Sequence, residues 1–334
     1  MKFYVTSQSN SGAFPIPNEG PWLSFFEKIM DSGHKIVSLE EDPDVIVFMN
    51  NHPQLLKKIT REKSKAKKVL VLWEPIVTRP SNYGKYINKF DHVFSPSPLW
   101  ISGEKVTYFL WPQGPKTRVN SLWVDWEKRE DKILLFQSNK FSFTKGELYS
   151  LRRKVVKKCG DSLILYGVGW GNPIRITVEL SKSLYRHLRF GKPTRFTFPK
   201  AIFVNPINNG GYSNDKMRLL GKSRYSLVIE NSADYVSEKL FEAAVMGNIA
   251  IYVGPPLELF GIPKIAVQAG PSVESICDAI YKLRKNEFEV HQILLNLESY
   301  LNSENYSKMQ NDRVLANLAS SVISFVKEDG TSAS

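Results

Sequence analysis

A continuous β-α-β pattern from Tyr225 to Pro255 constrains the fold of this chain more than any other stretch. Tyr225 to Ile229 is a short apolar run rich in β-branched and aromatic residues, so it reads as a buried strand, and Glu230 to Asp234 reads as a polar turn. A helix follows. Asp234 or Ser237 can cap it, Leu240, Phe241, Ala244 and Val245 recur at helical spacing, and Gly247-Asn248 supplies the stop. Ile249 to Val253 is the next strand, closed by Gly254-Pro255-Pro256. A strand, a crossover helix and a second strand demand parallel pairing and a right-handed connection.

That geometry gathers Asn231, Ser232, Tyr235, Glu238 and Lys239 at the carboxyl end of one strand and the amino end of one helix. Ligands of open α/β sheets bind there. Backbone N–H groups and the helix dipole favour an anion, Lys239 adds a full positive charge, and Glu238 can accept hydrogen bonds from sugar hydroxyls. A pyrophosphate linked to a sugar fits the set. Glu and Lys in a first helical turn are also common as solvated surface residues, and the residues alone leave that alternative open.

The string Ile-Glu-Asn-Ser at 229–232, Tyr-Val-Ser-Glu-Lys-Leu at 235–240 and Val-Gly-Pro at 253–255 resembles the C-terminal signature of the α-1,3-fucosyltransferases, glycosyltransferase family 10. The resemblance implies GDP-fucose contacts for Asn231, Tyr235, Glu238 and Lys239, with Ser232 in the same string; Ser237 stands where the family more often has Thr. Ser138-Asn139 resembles the family's Ser-Asn segment, which is followed at the same spacing by a donor-binding Arg, and Lys145 holds that position here. A Lys keeps the charge but loses the bidentate fork, and Arg152 further along the same predicted helix is a substitute. Trp73-Glu74-Pro75 resembles the family's Glu-Ser-Pro segment, whose Glu is the proposed base, so Glu74 is the candidate catalytic base; a loop Glu in a surface salt bridge is the alternative.

The rest of the chain suits that assignment. Strand signals at Phe3 to Thr6, Lys35 to Leu39, Val45 to Met49, Val69 to Trp73, His92 to Ser95 and Val106 to Phe109 alternate with helical stripes at Trp22 to Met30 and Gln54 to Ala66. Alternation of this kind argues for a parallel, Rossmann-like sheet. A polar, irregular stretch between Pro112 and Lys132 marks the junction. Beyond it lie a strand at Ile133 to Gln137, a helix from Lys145 to Lys158, strands at Leu163 to Tyr166 and Ala201 to Val204, and a short helix at Asp215 to Lys222. Gly167-Val-Gly-Trp-Gly-Asn172 does not match G-x-G-x-x-G and reads as a turn with no clear helix opening beside it. Past Ala269 the chain is mainly helical to Val326. The expected architecture is α/β and GT-B-like: an N-terminal Rossmann-like, acceptor-side domain over 1–125, a C-terminal Rossmann-like, nucleotide-sugar-binding domain over 126–330, an interdomain cleft, and C-terminal helices closing it.

Composition limits the partners. A net charge of +12 calls for an anionic one, and two basic clusters carry much of it: Lys57 to Lys68, and Arg152-Arg153-Lys154 with Lys157-Lys158. Both read as solvated helix faces rather than nucleic-acid sites, which leaves a GDP-sugar donor, a glycan or lipid-linked glycan acceptor, and peripheral contact with an anionic membrane. No apolar run reaches the roughly 20 residues that span a bilayer, and the amino terminus lacks the apolar core of a signal peptide, so the expected place is the cytoplasm. Cys159 and Cys277 read as two reduced thiols near helices. Asp42-Pro43-Asp44 has the D-x-D pattern of metal-dependent transferases, but it precedes a strand and so falls at the wrong end of a parallel sheet. The function these readings imply is inverting, metal-independent transfer of fucose from GDP-fucose, with no cofactor beyond the donor. Two others stay open: the same fold with another GDP-sugar, and a non-enzymatic polyanion-binding protein on a degenerate transferase fold.

Overall fold

The computed structural model describes residues 1–8, 12–20, 22–63, 65–82, 87–109, 111, 126–211 and 213–331. They form two compact units, one of residues 1–112 with 308–334 and one of 113–307. Each is built on a six-stranded parallel sheet.

In the first unit the strands are β1 (Lys2–Val5), β2 (Lys35–Ile36), β3 (Val45–Met49), β4 (Lys67–Val71), β5 (His92–Ser95) and β6 (Val106–Tyr108), in spatial order 2-1-3-4-5-6. In the second they are β7 (Glu130–Phe136), β8 (Leu163–Tyr166), β9 (Asn209–Gly211), β10 (Ser223–Ile229), β11 (Ile249–Val253) and β12 (Ala266–Gln268), in order 12-11-10-7-8-9. All five residues of β3 and all five of β11 are buried, as a central strand covered on both faces requires. The helices are α1 (Leu23–Asp31), α2 (Pro53–Glu62), α3 (Tyr149–Cys159), α4 (Pro173–Phe190), α5 (Lys216–Lys222), α6 (Glu238–Val245), α7 (Val273–Lys285), α8 (Glu287–Leu301), α9 (Glu304–Lys308) and α10 (Asn311–Thr331).

Four expectations change. The last helix, placed with the C-terminal domain on sequence, packs in the first unit. Its stripe of Leu315, Leu318, Ala319, Val322, Ile323 and Val326 joins Phe25, Phe26 and Ile29 of α1 and the sheet residues Phe3, Val45 and Val69 in one core. Val204 is buried but unpaired by any strand, and the sheet edge is instead β9, further along the chain. An 18-residue helix, α4, opens directly after the glycine run, its first turn capped by the Asn172 side chain accepting from the Arg175 N–H at 3.0 Å. Finally, Cys159 and Cys277 are joined in a disulfide: α3 and α7 lie side by side, so a separation of 118 residues in sequence becomes 6.9 Å between Cα atoms. The junction expected between Pro112 and Lys132 falls mostly outside the described residues.

Candidate functional site

In the second unit, three loops meet at the carboxyl ends of β7, β8 and β10. Gln137, following β7, donates from Nε2 to the Ile229 carbonyl of β10 at 2.6 Å, and its own carbonyl accepts from the Trp170 indole at 2.8 Å. The glycine run therefore packs on the β7 loop. A Cβ on Gly167 would lie 2.2 Å from the Gln137 carbonyl oxygen, so only glycine permits this approach. Asn139 completes the junction, donating its backbone N–H to Val168 at 2.9 Å and Nδ2 to Gly169 at 3.2 Å. The side chain of Arg175, in the first turns of α4, lies against the same glycines.

The loop after β10 is organised by buried charge. Glu230 is fully buried, and one of its carboxylate oxygens accepts the Ser237 N–H at 2.8 Å, while the other accepts the Ser237 hydroxyl at 2.7 Å and the Lys239 ammonium at 3.3 Å. Lys239 also donates to Ser237 Oγ at 3.1 Å. An ammonium has three donors, so these bonds leave one for a further acceptor, and the side chain is 19 % exposed. Ser237 does occupy the N-cap position of α6, but its hydroxyl serves Glu230 instead of capping the helix. At the far end of α6 the expected stop is present: Gly247 is left-handed at φ 65°, and the Gly247 and Asn248 N–H groups close on Ala244 and Ala243.

Asn231 is held from three sides. Its carbonyl accepts the Leu148 N–H at 2.9 Å, its Oδ1 accepts from Arg152 at 2.8 Å, and its Nδ2 donates to the Tyr235 hydroxyl at 2.7 Å. Arg152 and Arg153, expected on a solvated helix face, are instead buried. Arg152 spans to the Ile229 carbonyl at 2.7 Å and sits over the Tyr149 ring at 4.8 Å. Burial lowers its pKa, opposed by the nearby Tyr149, Tyr235 and Glu230. Arg153 donates to the carbonyls of Lys200 and Lys140 at 2.8 and 2.6 Å and covers Phe141, and burial pushes its guanidinium down to about 10. Guanidinium groups can enter an interior when carbonyls and ring faces replace their water. α3 begins at Tyr149 and not Lys145, and Lys145 is exposed in the preceding turn. Glu147 in that turn bridges to Ser232.

Ser138 and Asn139 thus follow β7, and Asn231, Ser232, Tyr235 and Lys239 follow β10, at the carboxyl ends of neighbouring strands, with Glu238 exposed at the first position of α6 and Lys145 in the turn that bridges to Ser232. The sequence reading missed Glu230, Gln137 and Arg175. Glu230 had a readable signal: a carboxylate directly after an apolar strand, with a Lys nine positions on, is poised to be buried and paired.

In the first unit the carboxyl ends of β1, β3 and β4 carry a different cluster. Asn50, fully buried with φ 69°, accepts at Oδ1 from the Trp73 N–H, the Glu74 N–H and Asn82 Nδ2 at 2.9, 2.9 and 2.8 Å. Asn is among the few residues that adopt that left-handed conformation readily. Asn82 also donates to the Glu74 carbonyl at 2.7 Å and accepts the Asn51 N–H at 2.8 Å. β4 ends at Val71, earlier than expected, so Glu74 lies in the loop beyond it, half-buried, with its backbone bound at both N–H and carbonyl. His52 donates from Nε2 to the Ser7 and Met49 carbonyls at 3.0 and 3.2 Å and accepts at Nδ1 from Arg79 at 2.9 Å. Burial, with the Arg79 charge, pushes its pKa down to about 4. Beside Glu74, the Trp73 ring lies 4.7 Å from Trp22 and stacks on Trp111 at 4.8 Å.

Asp42 and Asp44 sit at the amino end of β3, away from these residues. Asp42 pairs with Lys63 at 2.7 Å and Asp44 accepts the Lys2 N–H at 2.7 Å. Among the described residues no helix is long and apolar enough to cross a membrane.

No protein-family model and no curated protein matches the chain. Solved structures do. HepE from Anabaena, in complex with UDP and glucose, is similar over 97 % of this chain and 100 % of its own at a TM-score of 0.58 and 12 % identity. A UDP-forming trehalose-phosphate synthase from Burkholderia xenovorans is similar over 85 % of this chain and 75 % of its own, with a TM-score of 0.51 and 11 % identity. An α1,3-fucosyltransferase with GDP is similar over 94 % of this chain and 88 % of its own, with a TM-score of 0.50 and 15 % identity. At these identities the likeness establishes the fold: two Rossmann-like α/β units of the kind found in GT-B glycosyltransferases.

Proposed function

We propose that this chain is an inverting glycosyltransferase that takes a nucleotide-diphosphate sugar, GDP-fucose by its sequence signature, and transfers the sugar to a glycan hydroxyl without a metal. The observation that carries the reading is Lys239: a buried carboxylate fixes its ammonium at the amino end of α6, with one donor left, amid the loops that end β7, β8 and β10. A cation held in place before the ligand arrives costs little reorganisation when charge develops on a leaving diphosphate. Lys145 and the first N–H groups of α6 add to that field, and Arg175 is a further cation within the same loops. Glu238 and the Asn231–Tyr235 pair offer hydrogen bonds to ribose or sugar hydroxyls.

In this reaction Glu74 takes the proton of the acceptor hydroxyl. The acceptor oxygen forms a bond to the anomeric carbon from the face opposite the diphosphate, and the anomeric C–O bond breaks with its electron pair leaving on GDP. The Trp22, Trp73 and Trp111 rings beside Glu74 offer an acceptor glycan a broad apolar surface.

A second reading, a UDP-sugar donor, is favoured by the likeness to HepE with UDP and glucose over nearly the whole of both chains. Calorimetric titration with GDP, UDP, GDP-fucose, GDP-mannose and UDP-glucose in EDTA, for wild type and Lys239→Ala, separates the readings. Guanosine-selective binding that the substitution abolishes supports the first, and uridine-selective binding moves the donor to the second. An absence of nucleotide binding removes the transferase reading and leaves a polyanion-binding protein, which salt-dependent binding to acidic glycan would then support.

A further inference from the structure

Helix α4 presents three distinct faces. Ile176, Ser183 and His187 are buried, and on a 100° wheel they cluster on one side. Ile174, Val178, Tyr185 and Leu188 fall within about 40° of one line on the opposite side, and they are 79, 44, 57 and 71 % exposed. Lys182, Arg186 and Arg189 line one flank of that apolar stripe. A helix that buried only its inner face would carry polar residues outward; this one carries Ile174, Val178, Tyr185 and Leu188 there, interrupted by Ser181.

The following segment continues the pattern. Phe196 packs on His187 at 5.3 Å and on Phe198 at 5.0 Å, and Phe198 is 71 % exposed. Between Glu179 and Asp215 the chain has no carboxylate, yet it carries Lys182, Arg186, Arg189, Lys192, Arg195 and Lys200. Glu179 itself is held by Lys182 at 3.1 Å.

We propose that the outer face of α4 is a docking surface for an anionic lipid bilayer. The apolar side chains of the stripe reach below the headgroups, and the flanking cations meet acidic ones. Charge complementarity selects this occupant. A second copy docking through the same face would offer these cations no carboxylate beyond Glu179, which Lys182 already holds. The basic clusters that first suggested membrane contact do not build such a surface: α2 turns its leucines inward and exposes polar and charged side chains, and Arg152 and Arg153 are buried.

Sedimentation of the full chain with phosphatidylcholine vesicles, with and without about one-third phosphatidylglycerol, tests the proposal independently of donor chemistry. Wild type is expected to sediment with the anionic vesicles and to be released by salt. Arg186→Gln with Arg189→Gln weakens that binding about thirtyfold, at roughly tenfold or less per charge. Val178→Ser with Leu188→Ser weakens it about tenfold or more while melting temperature and far-UV circular dichroism stay unchanged. Failure of wild type to bind, or binding that both double variants retain, overturns the proposal. So does light scattering that finds wild type dimeric and the serine variant monomeric, which would make α4 a self-interface.

Discussion

Both units end their strands in a polar cluster, but the first builds its cluster from amides and the second from buried charge. Around Glu74 the loop is held by the amides of Asn50 and Asn82, with Asn51 bonded to Asn82 and, behind them, a neutral His52 and the Arg79 guanidinium that bonds it and the Asn51 carbonyl. Around Lys239 the holding groups are Glu230 and, one layer away, Arg152. On the proposed function the difference suits the two ends: the amides that bond the Glu74 backbone are neutral dipoles, and the Arg79 charge is held on His52 and on the Asn51 and Gln8 carbonyls. A site for a diphosphate needs cations that stay in place when the ligand leaves, and a buried carboxylate provides the anchor.

The largest effect expected is on catalysis. Glu74→Gln keeps the loop's backbone bonds to Asn50 and Asn82 and removes the base, so transfer should fall by about a thousandfold or more with donor affinity unchanged. Assays of transfer beside calorimetry of GDP binding check this. Near-normal turnover would assign the proton to another group and dissolve the contrast between the units.

Next comes the charged cluster. Glu230→Ala strands Lys239 and the Ser237 N–H in a buried setting and should cost about 3–5 kcal/mol of unfolding free energy, read by denaturant titration. Glu230→Gln retains an acceptor for Ser237 and should cost less, but it frees the ammonium, so nucleotide affinity falls more than stability does. Equal losses in the two variants would mean that Glu230 is merely a packing residue.

These two clusters were not equally legible from the chain. The β-α-β signature set out β10, α6 and β11 because its strands are uniformly apolar and its helix stop is a glycine, and it gathered Asn231, Tyr235 and Lys239 correctly at one strand end. Arg152 and Arg153 were misjudged because an Arg pair on a helix looks solvated unless the carbonyls of Lys200 and Lys140 and the ring of Phe141 are known to meet it. The partners of the last helix were hidden for a similar reason. Its apolar stripe demands burial but does not name the sheet that provides it, and contact with α1 is a matter of topology. Asn50 gave no signal at all, since nothing in the run Met49-Asn50-Asn51-His52 shows that one amide will hold a loop more than twenty residues on.

His52 supplies a smaller and pH-dependent test. Its pKa is about 4 in the folded protein and about 6.5 in an unfolded chain, so the unfolded state binds more protons between those values. The contribution to stability is therefore complete above pH about 6.5 and is lost as pH falls toward about 4, amounting to roughly 3 kcal/mol or less. Unfolding titrations at a series of pH values should show that slope, and His52→Gln should flatten it. Burial also lowers the pKa of His34, His92 and His187, which add slopes of the same sign, so the variant should keep a shallower slope, and one unchanged by the substitution would place the sensitive group among those three.

The smallest effect separates positioning from chemistry at Asn50. Asn50→Gly keeps the left-handed backbone and removes the acceptor shared by Trp73, Glu74 and Asn82 together with the Nδ2 donor to the Gln8 carbonyl. Because Trp73 and Glu74 are half-buried, water can replace part of the lost bonding, so the stability cost should be about 1–2 kcal/mol. Loss of loop order should lower turnover with little change in donor affinity. Asn50→Asp is the sharper probe. It preserves the acceptor oxygen and the loop, but it places a negative charge beside the Glu74 backbone, which raises the proton affinity of any carboxylate acting there. The acid limb of the pH–rate profile should then move to higher pH, with a loss of stability because the buried carboxylate gives up the Nδ2 bond to the Gln8 carbonyl. A limb that stays put, in an enzyme that Glu74→Gln inactivates, would mean that Glu74 binds the acceptor and another group takes its proton.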